Sequence, residues 1–236
     1  MQTEPVIKPI SKPGKHEAFL AFFLQNEESR KGKALDVGAG HGAFAKAIYD
    51  RGFEVAACEL FPEHFHFKEI PCRQADLTRS LPYEDNEFDA LVVMEVMEHI
   101  SNHQTVFEEA CRVLKPGGRL YLTTPNILSL KSRWRYFFSG FFFSFDPLDR
   151  SNYDGMQHTA GLTFDQFQYW AAKAGFAEGP YTIDRKQSSS RWLMVFYPLM
   201  RLYALVRKTG SLHNQPRLLL GRGLFLSFVK KKREER

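Results

Sequence analysis

Lys33-Ala34-Leu35-Asp36-Val37-Gly38-Ala39-Gly40-His41-Gly42-Ala43-Phe44 is the stretch whose reading decides the fold of this chain. A short apolar run ends near a carboxylate, three glycines follow at every second position, and an amphipathic segment to Tyr49 begins at once. That order reads as strand, tight turn, helix, with glycine where the turn needs unusual backbone angles and where a ligand must approach the main chain. A nucleotide phosphate at such a turn would be repelled by a neighbouring carboxylate. Asp36 therefore favours a cationic ligand.

With Asp36 two residues before Gly38, the run resembles the Asp/Glu-x-Gly-x-Gly-x-Gly signature of class I S-adenosylmethionine-dependent methyltransferases. The resemblance implies an α/β, Rossmann-like, mostly parallel seven-stranded sheet with helices on both faces. It also implies S-adenosyl-L-methionine as cofactor, with the acid facing the ammonium end of its methionine moiety. Phe53 to Glu59 reads as a second strand ending in a carboxylate, 21 positions after Gly38. That offset is close to the ~20 residues at which an acid meets ribose hydroxyls in dinucleotide folds. Arg73-Gln74-Ala75-Asp76-Leu77 resembles the family's third strand end, where the acid accepts from the adenine amino group and the next N–H reaches the ring; Asp76 capping the following turn is the competing reading. The cofactor set so implied is Asp36, Gly38, Ala39, Gly40, Glu59, Leu60, Asp76, Leu77 and Met94.

Leu81 to Met94 leads into a fourth strand whose Leu91 to Met94 is continuously apolar, as a parallel strand buried on both faces requires. It runs into Glu95-Val96-Met97-Glu98-His99-Ile100. In an open parallel sheet the active site gathers outside the carboxyl ends of the strands. On a helical turn Glu95, Glu98 and His99 stand at i, i+3 and i+4 and share one face. Three readings stay open: a divalent-ion site, as the matching Glu-x-x-Glu-His implies through its resemblance to ubiquinone-biosynthesis O-methyltransferases; His99 as general base, with the carboxylates beside it; or a set that only caps the next helix. No metal is assigned.

His103 to Leu114 reads as an amphipathic helix stopped by Lys115-Pro116-Gly117-Gly118, followed by a fifth strand from Arg119 to Asn126. The dense resemblance covers about residues 33 to 126. Ile127 to Asp149 crowds Trp134, Tyr136, Phe137, Phe138, Phe141, Phe142, Phe143 and Phe145 among Lys131, Arg133 and Arg135. Aromatics all round a segment do not make a single core stripe. A lid over the acceptor pocket, a membrane contact, or an aromatic subdomain packed on itself all fit. Thr163-Phe164-Asp165-Gln166 is a capping box opening a helix to Ala174, stopped at Gly175. His158 matches a histidine that faces the acceptor side in relatives and is a second catalytic candidate. Tyr181 to Ile183 reads as a sixth strand and Leu224 to Val229 as the last. Between them Trp192 to Val206 is apolar but broken by Pro198 and Arg201, allowing an interfacial helix.

The 236 residues suit one methyltransferase domain spanning 1–236, with an N-terminal extension and helix at 1–30, a lid or acceptor-side insertion at 127–160 and a helical insertion at 188–221. Three prolines before residue 14 predict an extended start. Cys58, Cys72 and Cys111 have no metal-ligand spacing and read as reduced residues of a cytosolic protein. No run has the length and apolarity of a signal peptide or membrane span, so the chain is expected in the cytoplasm, peripheral at the inner membrane face. The net charge of +5 is uneven: Arg201, Arg207, Lys208, Arg217, Arg222, Lys230, Lys231, Lys232, Arg233 and Arg236 face only Glu234 and Glu235. This asymmetry points to an anionic partner, lipid head groups or nucleic acid.

The leading reading is therefore an S-adenosylmethionine-dependent O-methyltransferase acting on a hydrophobic or lipid-linked small molecule or glycan near a membrane. RNA methylation through the basic C-terminal part and a non-catalytic cofactor-binding module are the alternatives. A nicotinamide oxidoreductase is disfavoured by Asp36 and by the missing Gly-x-x-Gly after Gly40. Met94-Glu95-Val96-Met97 stands where amino-group methylases of bases carry Asn/Asp-Pro-Pro-Tyr.

Overall fold

The computed structural model describes residues 7–27 and 29–232. Pro5, Glu28, Arg233, Glu234, Glu235 and Arg236, on which parts of the sequence reading fall, lie outside the described residues. In chain order the elements are α1 (Lys15–Glu27), β1 (Lys33–Val37), α2 (Ala43–Tyr49), β2 (Glu54–Glu59), β3 (Cys72–Gln74), β4 (Phe88–Met94), α3 (His103–Val113), β5 (Leu114–Pro125), α4 (Leu130–Ser139), α5 (Phe164–Ala174), β6 (Phe176–Ile183), α6 (Ser188–Leu193), α7 (Tyr197–Arg207), α8 (Pro216–Leu220) and β7 (Gly223–Lys230). The seven strands form one sheet in the order β3-β2-β1-β4-β5-β7-β6. β1 to β5 are parallel, and β7 slots antiparallel between β5 and β6.

Successive residues of a strand face opposite sides of the sheet, so the strands feed two cores. Leu35 and Val37 of β1 join Leu91 and Val93 of β4 under α3 and α5. Ala34, with Ala90 and Val92, lies on the other face beneath α1 and α2. Asp36 shares the phase of Ala34, so its carboxyl emerges on the α2 side. The aromatics of α1 fill that core: Phe19 meets Phe44 at 5.4 Å and Phe225 at 5.2 Å, and Phe23 meets Tyr121 at 5.0 Å between ring centroids. Buried Glu27 accepts from the Tyr121 hydroxyl at 2.8 Å and pairs with Arg119. Anchored so, α1 carries its first residues, Lys15 and His16, to the carboxyl ends of β1 and β4.

Two expectations for the C-terminal third change. Trp192 to Val206 is not one helix: α6 ends at Leu193, a 3-10 turn covers Met194–Phe196, and α7 restarts with Pro198 in its first turn, where a missing N–H costs nothing. Lys230, one of the basic residues counted toward an anionic partner, does not face solvent. It is a buried residue of β7 whose ammonium donates to Asn86 and to the Leu114 carbonyl. The Thr163/Gln166 capping box opens α5 as expected, and Gly175 closes it in the left-handed region.

Candidate active site

The sheet and its loops enclose a cavity of about 1080 Å³ at the carboxyl ends of β1, β2 and β4. Every residue singled out from the sequence borders it: Asp36, Gly38, Ala39, Gly40, Glu59, Leu60, Asp76, Leu77, Met94, Glu95, Glu98, His99 and His158. The glycine turn leaves β1 with Gly38 at φ 71° and Gly40 at φ 51°. A Cβ on Gly38 would fall 2.5 Å from Val96, and one on Gly40 2.8 Å from Ile10. Both positions therefore need glycine for conformation, and Gly38 for space as well, since the Ile10 tip over Gly40 belongs to an exposed side chain that can move aside.

Asp36 is 1% exposed, and its Oδ2 has no hydrogen-bond partner. Burial lifts its carboxyl to about 7, the Ala45 backbone acting against the shift and the Glu59 charge adding to it. A buried, half-satisfied carboxyl next to a glycine turn fits a cation. Glu59 closes the turn from the second strand: Gly40 N–H donates to Oε2 and Leu60 N–H to Oε1, each at 2.8 Å. Each oxygen keeps a free lone pair for a hydroxyl donor. Asp76 caps its own turn, accepting from Thr78 N–H at 2.9 Å and Thr78 Oγ1 at 2.7 Å. The Thr78 hydroxyl, then its backbone N–H and the Arg79 charge, hold the Asp76 carboxyl below its ordinary value. The capping reading is thus realised at a residue that also borders the cavity.

The shared helical face expected for Glu95, Glu98 and His99 does not form. Glu95 has φ 56°, and only Met97–His99 make a 3-10 turn. Glu95 turns instead to the Lys15 ammonium and accepts from Thr123 Oγ1 at 2.7 Å. The capping reading also fails, because Asn102 is the N-cap residue of α3. Glu98 points inward, 1% exposed, with Oε2 unpartnered. Burial, with the nearby Glu95 charge, pushes its carboxyl well above the usual range.

His99 and His158 meet edge to face at 4.8 Å, because Thr159 and Ala160 N–H groups dock the His158 loop on the Glu98 carbonyl. His99 Nδ1 lies 3.1 Å from the Gln157 carbonyl. Donation there fixes Nδ1–H and leaves Nε2 as acceptor. Burial first, then the His99 charge, lowers the His158 pKa. Glu98, His99 and His158 each bring one ligand atom within 4.8 Å of the others, a set able to hold a divalent ion. This constellation substitutes His158 for Glu95.

The cavity also draws on residues the sequence did not flag. Lys8, Pro9, Ile10, Ser11 and Lys12 line it, Lys15 and His16 follow from α1, and Ser144, Asp146 and Met156 border it from the first insertion; Arg222, read from the sequence only as part of the basic C-terminal surplus, joins them from the turn before β7. Their only signal was composition, since Lys15 and its partner Glu95 are 80 positions apart.

Residues 35–122 match a family described as a methyltransferase domain. A demethylmenaquinone methyltransferase of Tropheryma whipplei is 35% identical over 94 residues, covering 37% of this chain and 39% of its own. A ubiquinone biosynthesis O-methyltransferase of Methylococcus capsulatus is 32% identical over 114 residues, covering 44% and 48%. The chain thus spans less than half the length of the curated relatives it matches. Across almost the whole fold, a SAM-dependent methyltransferase of Archaeoglobus fulgidus superposes with TM-score 0.60 at 13% identity, covering 91% of this chain and 94% of the other. The phosphoethanolamine N-methyltransferase 2 of Haemonchus contortus, solved with S-adenosyl-L-methionine, reaches 0.56 at 18% identity, covering 92% and 53%. The fold is that of the class I S-adenosylmethionine-dependent methyltransferases. Within it, segment 35–122 is the part that matches the methyltransferase domain family.

Proposed function

We propose that this protein transfers a methyl group from S-adenosyl-L-methionine to an oxygen of a hydrophobic or lipid-linked acceptor, a small molecule or glycan, at the surface of an anionic membrane. The observation that carries the cofactor assignment is the orphaned, buried Asp36 carboxyl beside the Gly38–Gly40 turn. Asp36 would face the ammonium, Glu59 the ribose hydroxyls, and Asp76, Leu77 and Leu60 the adenine. Ala39 and Met94 complete the wall. The cofactor supplies an electrophilic methyl on a sulfonium, open to in-line attack.

The chain's own work is then to align the acceptor, exclude water and remove one proton. His99 is the group for that proton: it borders the cavity and its Nδ1 is engaged by Gln157, which leaves Nε2 as the basic nitrogen. His158, with a lowered pKa, stays neutral beside it and does not compete by charge. Glu98, kept toward its neutral form by burial and the Glu95 charge, adds no strong negative charge beside His99.

The membrane reading is supported by an exposed apolar face whose own segments carry no acid. Only Ala204 of α7 is buried, while Trp192 is 84% and Leu205 76% exposed, with Leu199, Leu202 and Val206 beside them. Trp134 of α4 stacks on Phe196 at 5.9 Å, joining this face to Phe137, which is 80% exposed. No Asp or Glu occurs from 185 to 233 or from 124 to 145, whereas Arg191, Arg201, Arg207 and Lys208 rim the patch. Apolar anchors ringed by cations suit an anionic bilayer. No helix among the described residues is long and apolar enough to cross one.

The test is transfer of a labelled methyl group from S-adenosylmethionine to separated lipid and RNA fractions of a cell extract, with vesicle sedimentation alongside. Label in lipid and pelleting with anionic vesicles are expected. Label confined to RNA, or S-adenosylhomocysteine bound with no transfer to any fraction, would overturn the reading.

A further inference from the structure

The large cavity has a second charged end that the cofactor and the proton acceptor do not use. Lys12, Lys131 and Arg222 converge on one ring: their charged groups lie 5.8, 3.9 and 5.8 Å from the centroid of Phe143. They arrive from three distant parts of the chain, and no hydrogen bond or ion pair ties their side chains to a carboxylate among the described residues. The acids nearby are engaged elsewhere. Glu95 is held by Lys15 and Thr123, Asp146 by Arg135, and Asp154 by Met156 N–H at 2.9 Å and Asn152 at 3.0 Å.

The arrangement is built rather than loose. Phe143 N–H donates to Ser132 Oγ at 2.9 Å, and Ser132 is fully buried. Arg222 is pinned by its backbone on both sides, donating to the Arg185 carbonyl at 3.1 Å and accepting from Asn126 N–H at 3.0 Å. Lys12 and Arg222 border the cavity beside Ser144 and His158. Like charges held this close repel, and partial burial followed by the Arg222 and Lys15 charges lowers the Lys12 pKa. Such repulsion is relieved by an anion.

The geometry points to an anion subsite formed by Lys12, Lys131 and Arg222 around Phe143, which takes the phosphate or diphosphate ester group of the methyl acceptor. Three cations exceed what one carboxylate neutralises, whereas a phosphate monoester carries about −1.5 to −2 near neutral pH. The Arg222 guanidinium offers the planar donor fork that binds such oxygens in pairs. Phe143 faces three cations with its ring and keeps them at one place without neutralising them. The subsite deepens the proposed function, since two of its cations, Lys12 and Arg222, border the same cavity as His158 and Ser144, while Lys131 and Phe143 complete it from outside the cavity lining. It also lies on the insertion that carries the exposed aromatic face, so a phosphorylated lipid-linked acceptor would engage both.

The probe is inorganic pyrophosphate, titrated calorimetrically into the full chain at low salt with and without S-adenosylhomocysteine. Saturable binding is expected in both conditions. Lys12→Gln with Arg222→Gln should weaken it by about tenfold or more per cation, the scale for losing a charged hydrogen-bond partner. Lys173→Gln, on the exposed face of α5 and away from the cavity, controls for net charge and should leave it unchanged. The double variant must keep its S-adenosylhomocysteine affinity, which also certifies its fold. No pyrophosphate binding by a chain that binds S-adenosylhomocysteine overturns the subsite and spares the methyltransferase reading. Pyrophosphate binding without S-adenosylhomocysteine binding does the reverse. A double variant that loses S-adenosylhomocysteine but keeps pyrophosphate would assign these cations to the cofactor and overturn the proposal. Competition of pyrophosphate with phosphatidic-acid vesicles would identify the ester as a lipid head group, and its absence a free phosphate ester; both keep the subsite.

Discussion

Replacing Asp36 by asparagine should move stability and cofactor affinity in opposite directions. In the folded chain the carboxyl is pushed up to about 7 from its ordinary 3.8, with burial as the first cause. Between those values the folded state keeps a proton that the unfolded state has lost, so stability falls as pH rises. The loss is about 1.36 kcal/mol per pH unit across a gap of about three, or about 4 kcal/mol, complete above pH 7. Asp36→Asn removes the penalty, so the variant should match the wild type near pH 3 and exceed it at pH 8. For a chain of this length 4 kcal/mol corresponds to about 10 °C in Tm. Removing the charge also removes the ammonium's partner, which should weaken S-adenosylhomocysteine binding by about 2 kcal/mol or more, about 30-fold. Wild-type affinity should itself rise about ninefold from pH 6 to 8, as the ionised fraction of a group with pKa about 7 climbs from about a tenth to nine tenths. Thermal melts across pH and calorimetry at pH 6 and 8 read both. A variant no more stable than wild type at pH 8, with undiminished affinity, would refute the account of Asp36 as a buried acid awaiting a cation.

Gly40→Val should abolish S-adenosylhomocysteine binding, because it forces a branched residue to φ 51°; calorimetry with retained affinity would count against the turn. His99→Ala should leave cofactor affinity within a factor of about two and slow methyl transfer by about 10²–10⁴-fold in single-turnover assays, whereas unchanged turnover would leave His99 a structural residue. Leu199→Glu combined with Phe137→Glu should keep the melting temperature, since both side chains are exposed, and release the protein from anionic vesicles in sedimentation. Undiminished pelleting would move the membrane contact elsewhere. Phe19→Ala should cost about 3–5 kcal/mol in denaturant unfolding, as a fully buried ring of the α1 core.

Much of the cofactor end was legible before any tertiary structure, because each of its acids ends a strand and follows a local rule. Asp36, Glu59 and Asp76 can be read by offset from the glycine run, since a parallel sheet brings its strand ends to one edge. The segment after β4 was misread for an equally local reason. The i, i+3, i+4 spacing assumes helix from Glu95 onward, and the backbone turns left-handed there instead. What bends it away lies far along the chain: Lys15 claims the Glu95 carboxylate and Thr123 accepts its N–H at 3.2 Å.

From the linear order of residues alone came the sheet, its glycine turn and the acids at its edge, all set by near-neighbour geometry and strand periodicity. Only folding decided which side chains share the cavity's far end. The partnership of His99 with His158, the capture of Glu95 by Lys15, and the meeting of Lys12 and Arg222 on Phe143 join residues 59 to 210 positions apart. Contacts between insertions follow from how α1 and α4 dock, and docking depends on buried aromatic surface summed over the whole core, which no short stretch encodes.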